Sequence, residues 1–189
     1  KVYYHTTENG LPHNTITCIT KDSRGFLWLG TPGGLCRFDG YQVKVYRSIT
    51  NNNKTVLSTI NAICEDNYGN LWIGSNKGLL YFVFEQEKLI EADPVQNRIF
   101  SKKIKSLWSD KHKIWMATEN GAFSFTYALK NDKPEIQEDS IREFLKQESF
   151  NTINCTPTYG LLFGAVNGLY CYDTLTQQII SVEKINRIF

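Results

Sequence analysis

Two aspartates of the sequence, Asp22 and Asp66, each begin an Asp-x-x-Gly motif and are followed six residues later by a tryptophan. A carboxylate in a turn could bind Ca²⁺, and an indole ring could stack on a sugar. Calcium takes about six to eight oxygen ligands, so one carboxylate per turn is too few. Asp followed by Gly is typical of a tight turn, because Asp bonds its own downstream backbone and Gly tolerates positive φ. We therefore predict turn-capping aspartates, with no bound metal and no cofactor.

Three histidines are candidates for general acid–base chemistry, His5, His13 and His112. A catalytic histidine needs a perturbed environment in a cleft and a partner that it can reach. His112 falls in a predicted turn between strands, while His5 and His13 flank a predicted loop and stay candidates. Solvated loop histidines are the more common case, so no catalytic residue is assigned.

Five cysteines are spread along the chain without a CxxC pair, so a zinc site is not expected. Each lies in an apolar, strand-like run, which predicts buried free thiols that behave as small hydrophobic side chains. They are Cys18, Cys36, Cys64, Cys155 and Cys171.

The composition excludes several classes of partner. The 189 residues carry 21 Lys and Arg against 19 Asp and Glu, a formal net charge of +2. A nucleic-acid partner is not expected, because binding to phosphates requires a basic surface. No segment reaches the ~20 apolar residues of a membrane helix, so direct membrane contact is not expected either. Aromatic residues make up 13% of the chain, which favours β-structure.

The tryptophan motifs belong to an internal repeat. Residues 16–35 align with residues 60–79 without a gap, at an offset of 44 residues. A third copy begins at Ile104 and a degenerate fourth at Ile153, where Leu162 stands in place of tryptophan. A position that recurs in successive copies serves the repeated structure, so packing between units is favoured over a sugar-stacking platform. The predicted structural residues of the repeat are Asp22, Gly25, Trp28, Gly30, Asp66, Gly69, Trp72, Gly74 and Trp115.

Each copy contains strand-like segments of β-branched and apolar residues, separated by turn motifs. A repeat of about 40–45 residues with four strands predicts a β-propeller blade. The chain is therefore predicted to be all-β, with about four blade units of four antiparallel strands. The blade cores are expected at about 14–47, 59–92, 104–137 and 152–182.

Three segments fall outside this regular pattern. Residues 1–4 match the outer strand of a blade whose core is missing, and residues 186–189 repeat residues 97–100, which precede the third core. The chain is therefore predicted to be a fragment of a larger propeller, in which exposed blade edges favour self-association. Ser140-Ile-Arg-Glu143 has the form of a capping box, which predicts a short helix over residues 140–147.

The repeat resembles that of two-component regulator propellers. The resemblance rests on Gly10-Leu11-Pro12-His-Asn14, Asp22-x-x-Gly25, Leu27-Trp28-Leu29-Gly30-Thr31 and Gly34-Leu35-x-Arg37-Phe38-Asp39, with a second copy from Ile60 to Phe82. It implies a piece of a seven-bladed propeller in the periplasmic sensor region of a hybrid two-component system histidine kinase of the Bacteroides type. Such inner-membrane sensors usually respond to glycan breakdown products. The resemblance implies no kinase chemistry within these residues.

Two other functions stay open at this point. A propeller lyase or hydrolase of the virginiamycin B lyase type has similar repeats and would need a His/Glu pair near the axis. A protein-interaction scaffold of the WD-repeat kind would carry Gly-His and Trp-Asp signatures, which the sequence lacks. The sensor is favoured because the short, polar loops contain no clear acid–base pair.

The predicted ligand-binding residues lie in loops on one face of the propeller. Loops that lead from an outer strand to the next blade share a face with loops between second and third strands. These loops are longer and more polar than the Asp-x-x-Gly turns opposite, and recognition usually occurs in such loops. Their amides and charges suit an oligosaccharide, another small polar ligand or a neighbouring domain. The candidates are His13, Asn14, Asn52, Lys54, Asn76, Lys77, Glu119, Asn120 and Asn167.

Overall fold

The computed structural model describes residues 5–49, 55–92, 102–110, 113–131 and 133–182. These residues fold into four antiparallel sheets that follow one another along the chain, here called blades 1 to 4. Their helices are two 3₁₀ turns, and neither is long and apolar enough to cross a membrane. The predicted outer strand at residues 1–4 and the repeated segments at 97–100 and 186–189 lie outside the described residues.

The strands of each blade follow in chain order from the inner to the outer edge. Blade 1 contains β1 (Cys18–Lys21), β2 (Leu27–Thr31), β3 (Gly34–Phe38) and β4 (Val43–Tyr46), preceded by a 3₁₀ turn at Thr7–Asn9. A short hairpin follows, formed by β5 (Ser48–Ile49) and β6 (Thr55–Val56). Blade 2 contains β7 (Ile60–Glu65), β8 (Leu71–Ser75), β9 (Gly78–Val83) and β10 (Lys88–Glu91). Blade 3 contains β11 (Ile104–Asp110), β12 (Lys113–Thr118), β13 (Ala122–Lys130) and β14 (Lys133–Ile136), then a 3₁₀ turn at Glu138–Ser140 and β15 (Arg142–Phe144). Blade 4 contains β16 (Phe150–Thr156), β17 (Gly160–Ala165), β18 (Gly168–Asp173) and β19 (Gln178–Ser181). The prediction of an all-β chain with four such units is confirmed.

The outer edges of blades 2 and 3 carry additional strands. β5 pairs in parallel with β10, with Ser48 opposite Leu89, and β6 pairs with β5. In blade 3 the outer strand is divided, because β14 pairs with one half of β13 and β15 with the other, where Phe144 lies opposite Ala122. β10 is therefore paired on both sides, both halves of β13 have an outer neighbour, and β6, β14 and β15 form the outer edges.

The helix predicted over residues 140–147 is wrong. The hydroxyl of Ser140 accepts the backbone N–H of Thr126 at 2.8 Å instead of capping a helix, and β15 pairs with β13. The nine residues of β13 extend beyond the reach of β14 and leave backbone groups to be paired. This tertiary pairing outweighs the local helix preference of the capping-box sequence.

Neighbouring blades contact each other mainly through side chains on the surfaces of their sheets. Every residue of β8 and β9 is buried, as expected for strands covered on both sides. One tryptophan of each of the first three blades packs against an aromatic ring of the next blade. The ring centroids are 4.8 Å apart for Trp28 and Phe82, 5.6 Å for Trp72 and Phe125, and 5.9 Å for Trp115 and Phe163.

Glycines of the repeat serve two purposes. Gly25 and Gly69 complete the Asp-x-x-Gly turns with φ values of 95° and 77°, which favour glycine. Gly30 and Gly74 allow the next blade to come close. A Cβ at Gly74 would lie 2.6 Å from Cγ2 of Ile104, and one at Gly30 would lie 3.0 Å from a backbone oxygen of blade 2. A side chain at either position would push two blades apart.

Hydrogen bonds between inner strands fix the height of each blade along the axis. Oγ1 of Thr20 donates to the backbone oxygen of Ile63 at 3.0 Å, and Nδ2 of Asn61 donates to that of Ile104 at 2.9 Å. Apolar contacts are non-directional, so these bonds are what resists sliding of one blade against the next.

No described blade covers the face of blade 1 that points away from blade 2, here called its open face. Ile19 in β1 is 63% exposed, whereas Ile63, at the same position of β7, is 8% exposed because blade 1 covers it. In a closed ring the last blade would cover Ile19 in the same way. The four described blades therefore form part of a propeller, as predicted.

Candidate functional site

The antiparallel strand order divides the connections between two faces of the molecule. The inner strands β1, β7, β11 and β16 pack side by side, so equivalent connections of all blades lie on the same face. The loop face carries the linkers between blades and the loops between second and third strands. The turn face carries the Asp-x-x-Gly turns and the turns between third and fourth strands. The ligand residues predicted from sequence belong to the loop face.

On the turn face, Asp22 and Asp66 each make two kinds of hydrogen bond. Oδ1 of Asp22 accepts the backbone N–H of Phe26 at 2.8 Å, which closes the turn, and Oδ2 accepts Nε1 of Trp28 at 2.8 Å. Asp66 repeats the arrangement, with Nε1 of Trp72 at 2.9 Å. Both carboxylates are buried. The six-residue spacing therefore reflects an Asp–Trp hydrogen bond. The sequence predicted the turn-capping role of these aspartates but not their bond to tryptophan.

The repeat tryptophans have no surface to offer a ligand. Trp28 and Trp72 are 0% exposed and Trp115 is 3% exposed. A sugar cannot stack on a ring that is enclosed between two blades, so these side chains act in packing.

Several predicted ligand residues on the loop face hold their own loops in place. Oδ1 of Asn76 accepts the hydroxyl of Ser58 at 2.7 Å and the backbone N–H of Thr59 at 3.1 Å. Oδ1 of Asn14 accepts the backbone N–H of Thr7 at 2.8 Å. Because these amide oxygens already accept hydrogen bonds, Asn76 and Asn14 can offer their NH₂ groups to a ligand.

The other predicted residues differ in their hydrogen bonds and in their exposure. Nδ1 of His13 accepts the backbone N–H of Thr15 at 2.9 Å, and Nδ2 of Asn167 donates to the carboxylate of Glu148 at 3.2 Å. The side chains of Lys77, Glu119 and Asn120 are exposed, and no described residue forms an ion pair with the two charged ones. Asn52 and Lys54 lie outside the described residues. A ligand site on the loop face stays a prediction.

Three of the cysteines are poor nucleophiles because of their surroundings. Burial raises the pKa of Cys18 and of Cys36 to about 11 and that of Cys64 to about 12, so these thiols are protonated near neutral pH. The prediction that all five cysteines are buried is wrong for Cys155, which is exposed next to the β16–β17 turn. It is the penultimate residue of β16, at the end of the strand that leads into this turn.

The histidine candidates are also placed. The ring of His5 packs against Phe38, with centroids 4.8 Å apart, and His13 holds the backbone of its own loop. His112 lies outside the described residues.

A cleft of about 470 Å³ opens on the turn face between blades 3 and 4. Blade 3 contributes two cations, Lys113 at the start of β12 and Arg142 at the start of β15, and blade 4 contributes Tyr172 and the β18–β19 turn. Nζ of Lys113 lies 4.3 Å from a ring centroid of Trp115 and 5.5 Å from that of Tyr172. Burial lowers the pKa of Lys113, and the positive charge of Arg142 lowers it further. Neither cation is among the residues predicted from the sequence, because those residues belong to the opposite face.

The family model of the two component regulator propeller matches residues 10–33 and 57–77. These two segments, in blades 1 and 2, are two-component regulator propeller repeats. Each matched stretch runs from a linker on the loop face through the inner strand and the Asp-x-x-Gly turn. The matched residues therefore include both Asp–Trp pairs.

Several solved structures share the fold. One is the extracellular domain described as hybrid two component system BT4673 from B. thetaiotaomicron (TM-score 0.65, 21% identity, 88% of this chain and 21% of that chain). A second, BT3049 from the same organism, carries the same description (TM-score 0.53, 20% identity, 93% and 29%). Virginiamycin B lyase from Staphylococcus aureus is also similar (TM-score 0.63, 17% identity, 89% and 56%).

Identities of this size show the fold alone. The chain spans about a fifth of the length of the BT4673 domain, whose covered share is 21%. No curated protein sequence matches the chain.

Proposed function

We propose that the chain is a non-catalytic sensor module in the extracytoplasmic part of a hybrid two-component regulator. The observation that carries this proposal is the match of the two-component regulator propeller model to two blades of the propeller. Two structures with the same fold are described as extracellular domains of hybrid two component systems, which supports the location. The parent protein would supply the histidine kinase and its membrane anchor.

The chemistry of the repeat agrees with a scaffold. The acidic groups of Asp22 and Asp66 are buried and bonded to tryptophan, so they are not available as catalytic acids or bases. Recognition is then left to the loops and to clefts between blades. This division is the usual one for a rigid scaffold that carries variable loops.

The proposed ligand is an oligosaccharide derived from a complex glycan. Hydroxyl-rich ligands are bound by amides and charged groups that both donate and accept hydrogen bonds. The loop face offers such groups in the exposed side chains of Lys77, Glu119 and Asn120.

The experiment is a phosphorylation assay on the full-length protein in membranes, with a panel of glycan-derived oligosaccharides. We expect one class of oligosaccharide to change autophosphorylation, and we expect Asn76→Ala, Lys77→Ala and Asn120→Ala together to reduce the response. A full-length protein without a kinase, or a kinase indifferent to the whole panel, would overturn the proposal.

A propeller lyase is the second candidate, because virginiamycin B lyase from S. aureus has the same fold. Its structure contains quinupristin. Consumption of quinupristin by the full chain, followed by liquid chromatography and abolished by His13→Ala, would favour the lyase. Stable quinupristin would leave the sensor as the better function.

A further inference from the structure

Among the described residues, the two cations of the cleft between blades 3 and 4 lack a carboxylate partner. Neither Lys113 nor Arg142 forms an ion pair with any described residue. Nη1 of Arg142 donates to the backbone oxygens of Asp139 at 2.7 Å and Ile141 at 3.0 Å, which orients the guanidinium without neutralising it.

Three nearby carboxylates do not fill this role. Glu143 lines the cleft, but its carboxylate is held by Lys102 at 3.4 Å and Lys146 at 3.0 Å. Asp110 lies opposite Lys113 across the β11–β12 hairpin and attracts its charge, yet Arg142 repels that charge more strongly. Asp173 accepts the backbone N–H of Leu175 at 2.9 Å and the hydroxyl of Thr176 at 2.7 Å within its own turn. None of these carboxylates forms an ion pair with Lys113 or Arg142, so the charges of the two cations are not neutralised by direct contact.

The interface between blades 1 and 2 shows how the same fold neutralises this position. Lys44 of β4 lies opposite Arg37 of β3, just as Arg142 of β15 lies opposite Ser124 of β13. The turn of blade 2 then provides Glu87. Its carboxylate lies 3.1 Å from Nη2 of Arg37 and contacts Lys44.

Blade 4 has a neutral residue where blade 2 has that glutamate. Gln177 immediately precedes β19 as Glu87 immediately precedes β10, and both have positive φ, 55° and 47°. The register therefore makes Gln177 the counterpart of Glu87. An amide cannot balance the charge of Arg142, so the carboxylate present between blades 1 and 2 is missing between blades 3 and 4.

We infer that this cleft binds a saccharide through a carboxylate of the ligand, as in a uronic acid. The ligand carboxylate takes the place that the Glu87 carboxylate has in the first interface. The volume of about 470 Å³ suits a mono- or disaccharide. Thr126, Ser140 and Thr176 line the same cleft. Their hydroxyl groups donate to Gln137 and Asp173 within the protein, so they meet the sugar as hydrogen-bond acceptors.

The inference rests on the proposed function, because it names the ligand class of a sensor. It adds a second recognition surface, on the turn face rather than the loop face. A uronate would join blade 3 to blade 4, since the cations come from one and the polar turn from the other.

The experiment is calorimetric titration of the full chain with cellobiouronic acid and with cellobiose. The two sugars differ only in that the acid carries a carboxylate where cellobiose carries a hydroxymethyl group. We expect binding of the acid and at least about tenfold weaker binding of the neutral sugar, as loss of a charged partner implies. Gln177→Glu should weaken binding of the acid to a similar extent, because it supplies an internal carboxylate. Arg142→Gln should do the same, and Lys88→Gln, an exposed lysine of blade 2, should leave binding unchanged.

Several results would overturn the inference. Equal binding of acid and neutral sugar would remove the role of the carboxylate, and equal binding of sodium acetate would reduce the cleft to a general anion site. Unchanged affinity in folded Gln177→Glu, checked by thermal unfolding, would place the ligand elsewhere. A kinase that responds only to neutral glycans would refute this ligand and leave the sensor function intact, whereas binding lost in Gln177→Glu would support the cleft even if no kinase exists.

Discussion

The phenolic hydroxyl of Tyr127 in blade 3 donates a hydrogen bond to the carboxylate of Asp66 in blade 2. The same carboxylate binds Nε1 of Trp72, so one buried charge joins a turn, an indole ring and the next blade. At the equivalent place in blade 2, Phe84 packs on Trp28 with centroids 6.2 Å apart and has no hydroxyl. Blades 2 and 3 are thus joined by a charge-assisted hydrogen bond that Phe84 cannot form between blades 1 and 2.

Removal of this hydroxyl should weaken the contact between blades 2 and 3. We expect Tyr127→Phe to lower the free energy of unfolding by about 1.5–3 kcal/mol, the range for a hydrogen bond to a charged group. Urea unfolding of the full chain measures the change. Tyr41→Phe is the matched control, because Tyr41 is 93% exposed and its hydroxyl should contribute nothing. Equal stabilities of the two variants would contradict the role assigned to Tyr127.

Alkaline pH should weaken the fold through its buried tyrosines. Burial, together with the Asp66 carboxylate, raises the pKa of Tyr127 above its ordinary value, and burial raises that of Tyr46 to about 12. The folded state then holds these protons more tightly than the unfolded chain. Their contribution is complete below the unfolded pKa of about 10 and is lost as pH rises towards the folded values.

We therefore expect the free energy of unfolding to fall as pH rises above about 10, where unfolded tyrosine begins to ionise. The difference between the wild type and Tyr127→Phe should shrink over the same range. Urea titrations at a series of pH values measure both quantities. A difference that grows with pH would show that the sign is wrong.

Replacement of a repeat tryptophan should separate packing from hydrogen bonding. Trp28→Ala should cost about 3–5 kcal/mol, because it removes a buried ring between two blades. Trp28→Phe keeps most of the ring but leaves Oδ2 of Asp22 without its donor, so we expect a loss of about 1–3 kcal/mol. Chemical denaturation gives both values. An alanine variant as stable as the phenylalanine variant would mean that packing contributes little.

The open face of blade 1 should drive self-association of the chain in solution. Ile19 is 63% exposed at a position that is buried in blade 2, whereas β10 of blade 2 and β13 of blade 3 each have an outer neighbour. Ile19→Lys should therefore shift the chain towards monomer in light scattering after size exclusion. Tyr159→Lys, which replaces a 70% exposed residue in a turn of blade 4, should not. Monomeric wild-type chain at high concentration would contradict the prediction.

The sequence predicted those parts of the fold that repeat. The gapless alignment identified β1 to β3 and β7 to β9, because each strand follows a turn motif that local chemistry specifies. The helix expected near Ser140 failed because a free strand edge in the same blade competed for Arg142–Phe144. Local preference cannot reveal such competition.

The cleft could not be predicted for a related reason. Lys113, Arg142 and Gln177 are far apart in the chain, and only the register of β15 against β13 and the packing of blade 4 bring them together. The Asp–Trp pairs, by contrast, were within reach. Six residues across a tight turn place the carboxylate of Asp22 beside the indole of the adjacent strand.

The hairpin of β5 and β6 has a consequence for any attempt to divide this protein. In sequence it follows blade 1, but its backbone pairs with β10 and it completes the edge of blade 2. If the chain were cut at the sequence boundary of the repeat, blade 2 would therefore lose β5 and β6, and blade 1 would keep them as an unpaired extension. Swapping or transplanting a blade of this protein requires the preceding linker to travel with it, so the exchangeable unit is offset from the repeat that defines it.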